Sequence, residues 1–373
     1  MPFDSGTVSF RVFENDTSAT TDEVLAGLKS YSAPPLDTLD KEPLAGWCST
    51  RFIGDLDLSE ETCKSGRFIR AQLMKAEKKI PSSLLKVYCK MEEIAEMNAR
   101  GVKFLNRKTR SEIKARISEQ LLPQMPPTLT AIQMVHDTES SRVYASAMSE
   151  KQHDAFCLGF NRATRLKPSA LGPESAAERL FQVNISVLEP QCFSPDDDVD
   201  AVANEVGMDF LTWLWHFWEV GDGEFKTPQG DKVALMLEGP AVFHHEGSGA
   251  HEISVRRGLP LQSCEAKTAL MSGKKLKSVK LTLTRGEDVF SATVNGRDFS
   301  FASLKIALDS KAADESKYDP ETNFQNRIGG VKFFADTFFH LYGVFLQEIT
   351  APKTWAKTLA SMKEWISNRE ELA

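Results

Sequence analysis

The apolar positions in the second half of the chain alternate with polar ones in three consecutive segments. Residues 278–284, 289–294 and 299–306 place apolar side chains at every second position, which is the period of a β-strand. The peptides RGED and NGRD that connect them contain the glycine and aspartate typical of tight turns. The pattern therefore predicts an antiparallel meander of three strands.

Near the C-terminus, apolar residues recur every three or four positions, as they do on one face of an α-helix. Two such stripes predict two helices. The first consists of Val331, Phe334, Phe338, Leu341, Phe345 and Ile349, and the second of Trp355, Leu359, Met362 and Ile366.

The same period predicts a pair of helices between residues 79 and 126. Pro81 is typical of a helix start and Gly101 of a helix end. The apolar stripe between them consists of Leu84, Val87, Tyr88, Met91, Ile94 and Ala95. Thr109 and Glu112 fit a capping box, so we expect the second helix to begin near Thr109 and to end before Pro123. Its apolar face is formed by Ile113, Ile117 and Leu121.

Shorter patterns complete a prediction of an α+β fold, in which helices pack on antiparallel sheets and the helical pair projects. Further strands are predicted at residues 7–13, 47–53, 67–74, 128–136, 142–147, 233–237 and 253–257, and further helices at residues 21–30 and 150–162. We expect an N-terminal α/β portion from residues 1–78 and 127–164, and a projecting basic pair of helices over 79–126. Residues 165–205, with four prolines, are expected to be a linker or insertion, and 206–373 a C-terminal α+β domain.

Composition places the chain among globular proteins. It has 373 residues, of which 41% are hydrophobic and 26% charged, and its net charge is −7. Its six cysteines are scattered without a CxxC pair, which is typical of reduced, cytosolic proteins. The first residues lack the features of a signal peptide, and charged residues interrupt the most apolar window, residues 331–346. We expect a cytoplasmic protein without membrane contact.

Positive charge is concentrated in one short segment. Residues 100–116 contain seven basic residues against a single acid, Glu112, so the segment carries +6 and the rest of the chain −13. The basic residues are Arg100, Lys103, Arg107, Lys108, Arg110, Lys114 and Arg116. Such a local excess favours the docking of a polyanion such as DNA. The alternative is an ordinary solvated helix surface.

A second group of basic residues lies around the start of the predicted meander. It consists of Lys274, Lys275, Lys277 and Lys280, with Arg256 and Arg257 on a nearby predicted strand. These residues are further candidates for binding DNA. The alternative is that the lysines protect an edge strand from aggregation.

Candidate metal ligands are present, but their spacing is not that of a metal site. His244, His245 and His251 lie near Glu246 and Glu252 in a glycine-rich segment without the HExxH pattern. The acidic run 196–198 has no spaced partner. Nucleotide-binding and hydrolase motifs are absent from the sequence as well. We therefore predict no metal, no cofactor and no enzymatic activity. One alternative is a metal-dependent nuclease or hydrolase that uses His244, His245 and residues 196–198. Another is a protein-interaction scaffold.

In their order along the chain, several segments resemble the RdgC family of recombination-associated proteins. They are KAEKKIPSSLLK, RSEIKARISEQLLPQM, TLTAIQMVHDTESSRVYAS, EKQHDAFCLGFNRA, GAHEISVRRGLPLQS and the meander with its preceding lysines. Each segment alone is a weak signal, and their common order carries the resemblance.

The resemblance implies a non-enzymatic protein that binds double-stranded DNA through the phosphate backbone and with little sequence preference. It also implies a ring-shaped homodimer, antagonism of RecA-type recombinase filaments, and a location at the nucleoid. The basic residues near Arg107–Arg116, and Lys274, Lys275 and Lys277, would then line a positive inner surface. A dimer contact would lie at Gln124, Met125 and Pro126. The family usually has a basic and an aromatic residue there, whereas this chain has Gln124 and Pro126.

Overall fold

The computed structural model describes residues 3–196, 198–199, 205–221, 223–245, 251–308 and 319–368, and within them it has an α+β architecture. Its strands are β1 (Val8–Asn15), β2 (Leu44–Cys48), β3 (Lys64–Ser65), β4 (Phe68–Lys78), β5 (Pro127–Asp137), β6 (Arg142–Ala145), β7 (Pro168–Ala170), β8 (Glu224–Lys226), β9 (Lys232–His244), β10 (Glu252–Val255), β11 (Lys275–Arg285), β12 (Asp288–Asn295) and β13 (Ser300–Ala307). Its helices are α1 (Thr21–Ser30), α2 (Glu60–Cys63), α3 (Ser82–Arg100), α4 (Arg107–Leu121), α5 (Glu150–Thr164), α6 (Pro173–Phe181), α7 (Val206–Val220), α8 (Cys264–Met271), α9 (Pro320–Ile349) and α10 (Pro352–Ser367).

The described residues form two compact units. The first unit contains those of 1–18, 135–153 and 167–373, and the second contains 19–134 and 154–166. The chain therefore passes between the units several times. In the described residues, no helix is long and apolar enough to span a membrane.

The first unit is built on a large antiparallel sheet with the strand order β10-β9-β11-β12-β13-β1-β6. The predicted meander is confirmed as β11, β12 and β13, with Leu281 opposite Ala292. Helices α7 and α9 bury an aromatic cluster in which Phe210 packs against Phe338, Tyr342 and Phe345. The predicted stripe of α9 is buried along its length, so the period of its apolar residues identified both the helix and its inner face.

The second unit is organised around β4, which pairs with β2 and β3. The indole ring of Trp47 on β2 packs edge-on against Phe156 and Phe160 of α5 and donates to the carbonyl of Gly159 over 3.2 Å. Gly46 has no room for a side chain, because a Cβ there would lie 2.5 Å from the Cα of Ala33. The Trp47 contacts join β2 to α5, and Gly46 lets β2 lie close to the segment that follows α1.

Helices α3 and α4 pack against each other within the second unit. The buried cluster between them contains Leu105, Ile113, Ile117 and Leu121 and is covered by Ile80, Leu85, Cys89 and Met97. The predicted apolar face of α4 is therefore confirmed. The stripe predicted for α3 is largely exposed instead, with Val87, Tyr88, Met91 and Ile94 between 41% and 63% accessible.

The structure refines several sequence predictions in detail. The strand predicted over 47–53 is β2, which ends at Cys48, because Arg51 and Asp55 close a turn beyond it at 2.6 Å. The segment 165–205, predicted to be a linker or insertion, contains β7 and α6. Both belong to the first unit, where β7 pairs with β1 and the Tyr342 hydroxyl donates to the carbonyl of Pro173, the first residue of α6.

Candidate nucleic-acid interface

The basic segment of the sequence forms the connection between α3 and α4, residues 101–106, which we call the elbow, and most of α4. Gly101 ends α3 in the left-handed region at φ +62°, as the sequence predicted, and the Val102 amide donates to the carbonyl of Met97. Helix α4 begins at Arg107, because the side chain of Asn106 accepts from the amide of Thr109 at 2.8 Å. Hence the predicted capping box at Thr109 is wrong, and Thr109 lies buried in the first turn.

The seven predicted basic residues fall into two classes. Arg100 is paired with Glu96 at 2.5 Å, and Arg116 is paired with Glu92 across the two helices. The side chains of the other five form no salt bridge or hydrogen bond with any residue that the structure describes, and all five are exposed. We call these five the free cations: Lys103, Arg107, Lys108, Arg110 and Lys114.

The free cations lie close together along the chain and outside the buried face of α4. Arg107, Arg110 and Lys114 are three and four residues apart, so they share one side of the helix. Arg107 and Lys108 stand at its first two positions, where the helix dipole is positive and cations are unfavourable. The first turn contains no acid that would offset them. This end of the helix therefore attracts anions through its backbone and side chains alike.

The second predicted basic group is neutralised by acids inside the first unit. Lys275 is 4% exposed and lies 2.6 Å from Asp209, while Lys274 is also buried. Lys280 is paired with Glu238 at 2.6 Å. Lys277 is paired with Glu252, and this contact lowers the pKa of that carboxyl. The structure thus places these lysines in ion pairs or in the interior.

Arg256 and Arg257 are exposed and follow the end of β10. The strand predicted over 253–257 stops at Val255, and Arg257 adopts φ +68°. The Arg256 side chain donates to the hydroxyl of Ser254 at 3.2 Å. Both guanidinium groups face solvent, but they belong to a different unit from the elbow.

The candidate metal ligands are not assembled into a metal site among the described residues. His244 is buried, with its Nδ1 3.5 Å from Glu205 and its Nε2 3.1 Å from Arg297. Asp196 and Asp198 are exposed in a turn, while Asp197 and Glu246 lie outside the described residues. In the part of the chain that the structure describes, no group of three or more His, Cys, Asp or Glu residues could hold a metal ion.

The positions predicted for a dimer contact follow the end of α4. Gln124 and Pro126 are exposed and Met125 is half-buried. The side-chain amide of Gln124 donates to the carbonyl of Gln120, and the Lys78 ammonium donates to the carbonyl of Pro123. These two hydrogen bonds join the segment to the last turn of α4 and to the end of β4.

Sequence reasoning missed the acids that divide the basic residues into two classes. Glu96 precedes Arg100 by four residues, a spacing that predicts an ion pair on a helix, so this pair could have been found. The pairing of Arg116 with Glu92 depends on how the two helices pack, and the sequence carries no local signal for it.

The N-terminal part of this chain is similar to a known protein family. The model of one family, described as "Putative exonuclease, RdgC", matches residues 7–177. The matched residues are less than half of the chain, and over them the chain is similar to the RdgC family. The match suggests a recombination-related function, as the resemblance of the segments predicted. No curated protein matches the chain at a significant level.

The RdgC match includes all residues of the second unit, and hence α3, the elbow and α4. It also includes β1, β6 and β7 of the first unit. The meander, α7 and the C-terminal helices lie beyond it. The free cations therefore lie within the region that matches the RdgC family model.

Proposed function

We propose that the chain binds DNA through the phosphate backbone, with the free cations as the principal contacts. The observation that carries this proposal is the set of five exposed cations, unpaired with any described acid, on one elbow and one helix. Each lysine or arginine that neutralises a phosphate releases counterions, which is the main source of non-specific affinity for duplex DNA. The RdgC match supports the proposal, because the resemblance to that family implies DNA binding.

Binding with little sequence preference agrees with the chemistry of these side chains. Base pairs are read by bidentate contacts from side chains such as asparagine, glutamine and arginine in the major groove. Asn106, the amide side chain of the elbow, is occupied as the N-cap of α4. The three lysines among the free cations bind phosphates as point charges, and the two arginines can bind a phosphate bidentately; phosphate contacts of either kind carry no sequence information.

We extend the proposal to partners and location on the strength of the family match alone. A homodimer, antagonism of a RecA-type recombinase filament and association with the nucleoid are what the RdgC resemblance implies. Light scattering of the purified chain tests the dimer, and a strand-exchange assay with and without the chain tests the antagonism. A monomer, or strand exchange at an unchanged rate, would contradict the corresponding part.

Charge reversal at Arg107, Arg110 and Lys114 tests DNA binding. The triple variant R107E/R110E/K114E should bind a random-sequence duplex at least tenfold more weakly at low salt, because it replaces attraction to phosphates by repulsion. Fluorescence anisotropy with two unrelated duplexes measures the effect, which should be equal for both.

The control reverses three exposed lysines outside the basic segment: K151E/K353E/K357E. It changes the net charge by the same amount and should retain most of the affinity. If the elbow variant binds duplex as tightly as the wild type, the proposal is wrong. Equal losses in both variants would show that net charge alone governs binding.

Nuclease activity is a second candidate function, because the matched family is described as an exonuclease. Incubation of the chain with duplex DNA and Mg²⁺, Mn²⁺ or Zn²⁺ distinguishes the two. DNA that stays intact while it is bound supports the binding proposal. Cleavage that is lost on His244→Ala would support a nuclease that uses this region.

A further inference from the structure

Phe104 in the elbow is the most exposed large apolar side chain among the described residues, at 82%. Its neighbour Leu105 is 8% exposed and belongs to the buried cluster between α3 and α4. The two side chains thus have opposite environments, although they are adjacent in sequence. An exposed phenyl ring gains nothing from the fold, since apolar surface left in water contributes no hydrophobic stabilisation.

The elbow backbone is held on both sides of Phe104. Upstream, the amides of Gly101 and Val102 donate to carbonyls of the last turn of α3. Downstream, Leu105 is anchored in the core and Asn106 caps α4. The backbone at Phe104 is therefore held by the fold before any ligand binds, which lowers the entropic cost of a contact.

The surroundings of Phe104 are cationic. Lys103 precedes it, and Arg107 and Lys108 follow within four residues; all three are free cations. A ligand that satisfies both the ring and the cations must combine negative charges with flat apolar faces. Nucleic acid has this combination, and its bases stack on aromatic side chains with little dependence on sequence.

Exposed apolar residues elsewhere in the second unit lack this setting. Phe52 is 59% exposed, but its neighbour Arg51 is paired with Asp55 and Asp57. The exposed stripe of α3 has neighbours of both signs, Lys86 and Lys90 as well as Glu92 and Glu96. Among the described exposed aromatic side chains of the second unit, Phe104 has the greatest exposure and the most free cations within four residues.

In a duplex the faces of the bases are covered by their neighbours. Inserting a side chain between two base pairs requires unstacking and kinking, which costs free energy at each step. Unpaired bases offer their faces without that cost. We propose that Phe104 stacks on an unpaired base. The elbow then binds single-stranded DNA, or the single-stranded part of a gap or junction, in addition to duplex DNA.

This inference rests on the proposed DNA binding by the free cations, and it adds a preference that phosphate contacts alone do not give. It is tested with the full chain and two probes of the same sequence, a single strand and a blunt duplex. Phe104→Ala should weaken binding of the single strand roughly 5- to 100-fold and that of the duplex much less. Phe104→Trp should retain the affinity for the single strand.

Phe52→Ala is the matched control, because it removes an exposed phenyl ring from the same unit and should leave both affinities unchanged. A 2-aminopurine base in the single strand reports stacking directly. Its fluorescence should change on binding of the wild type and stay nearly constant with Phe104→Ala.

Three results would overturn the inference. If Phe104→Ala binds both probes like the wild type, while R107E/R110E/K114E has lost binding, the inference fails and the proposed function stands. If the wild type binds neither probe, both fail. If Phe104→Ala converts a dimer to a monomer in light scattering and weakens the binding of both probes equally, the ring contacts a second copy of the chain and not a base.

Discussion

Asp209 and Lys275 form an ion pair in the interior of the first unit. The side chain of Asp209 is fully buried and lies 2.6 Å from the Lys275 ammonium group. Burial raises the pKa of Asp209 to about 6, and Lys275 opposes this shift by favouring the carboxylate. The lysine also lies 5.9 Å from the centre of the Phe193 ring. The sequence predicts Lys275 as a DNA-binding residue, but in the structure its charge is balanced by Asp209 of α7.

Removal of the carboxylate should destabilise the first unit. Asp209→Asn leaves the Lys275 ammonium group buried without a counter-charge, which costs about 3–5 kcal/mol in comparable buried pairs. The apolar double variant D209L/K275M should lose less, since no charge remains in the interior. Urea unfolding followed by fluorescence measures both. An unchanged unfolding midpoint for Asp209→Asn would show that the pair does not stabilise the fold.

At the scale of elements, the sequence predicted α3 and α4 and the buried face of α4. It did not predict which side of α3 meets α4, because α3 has apolar residues on two sides. Leu85, Cys89 and Met97 face α4, whereas the stripe through Met91 and Ile94 is exposed. The period of apolar residues defines a helix but not its partner, and only packing decides between two apolar sides.

For the basic residues of α3 and α4, too, the sequence does not show how the two helices pack. Seven cations were visible in the sequence, but the contacts of Glu92 and Glu96 leave five of them free. These acids lie on α3, so their effect depends on local helix geometry in one case and on the packing of two helices in the other. The sequence therefore located the candidate interface and overestimated its charge.

The difference between free and paired cations on α4 is measurable. Lys114→Gln should weaken duplex binding and reduce its salt dependence by about one unit of the log–log slope, because a phosphate contact is lost. Arg116→Gln should change DNA binding much less, since Arg116 is already paired with Glu92. It should reduce stability by no more than about 1 kcal/mol, because the pair is exposed.

Both variants are compared by anisotropy with one duplex over a range of salt concentrations. A larger loss for Arg116→Gln than for Lys114→Gln would contradict the assignment of free and paired residues.

For the whole molecule, charge is distributed so that one segment differs in sign from the rest. The segment 100–116 carries +6, whereas the remaining chain carries −13. Most of the surface therefore repels a polyanion, and the elbow with α4 is the part that attracts it. This distribution was evident from sequence. The division of the chain into two units was not evident from sequence, because the chain passes between them several times without a compositional change at the boundaries.

The salt dependence of duplex binding tests the central claim most directly. If all five free cations contact phosphates, the slope of log K against log salt should be roughly −4 to −5, about 0.9 per contact. The variant R107E/R110E/K114E should reduce its magnitude by about three, equally for unrelated sequences. Equal slopes for the wild type and this variant, or a wild-type slope near zero, would contradict phosphate binding by the elbow and α4.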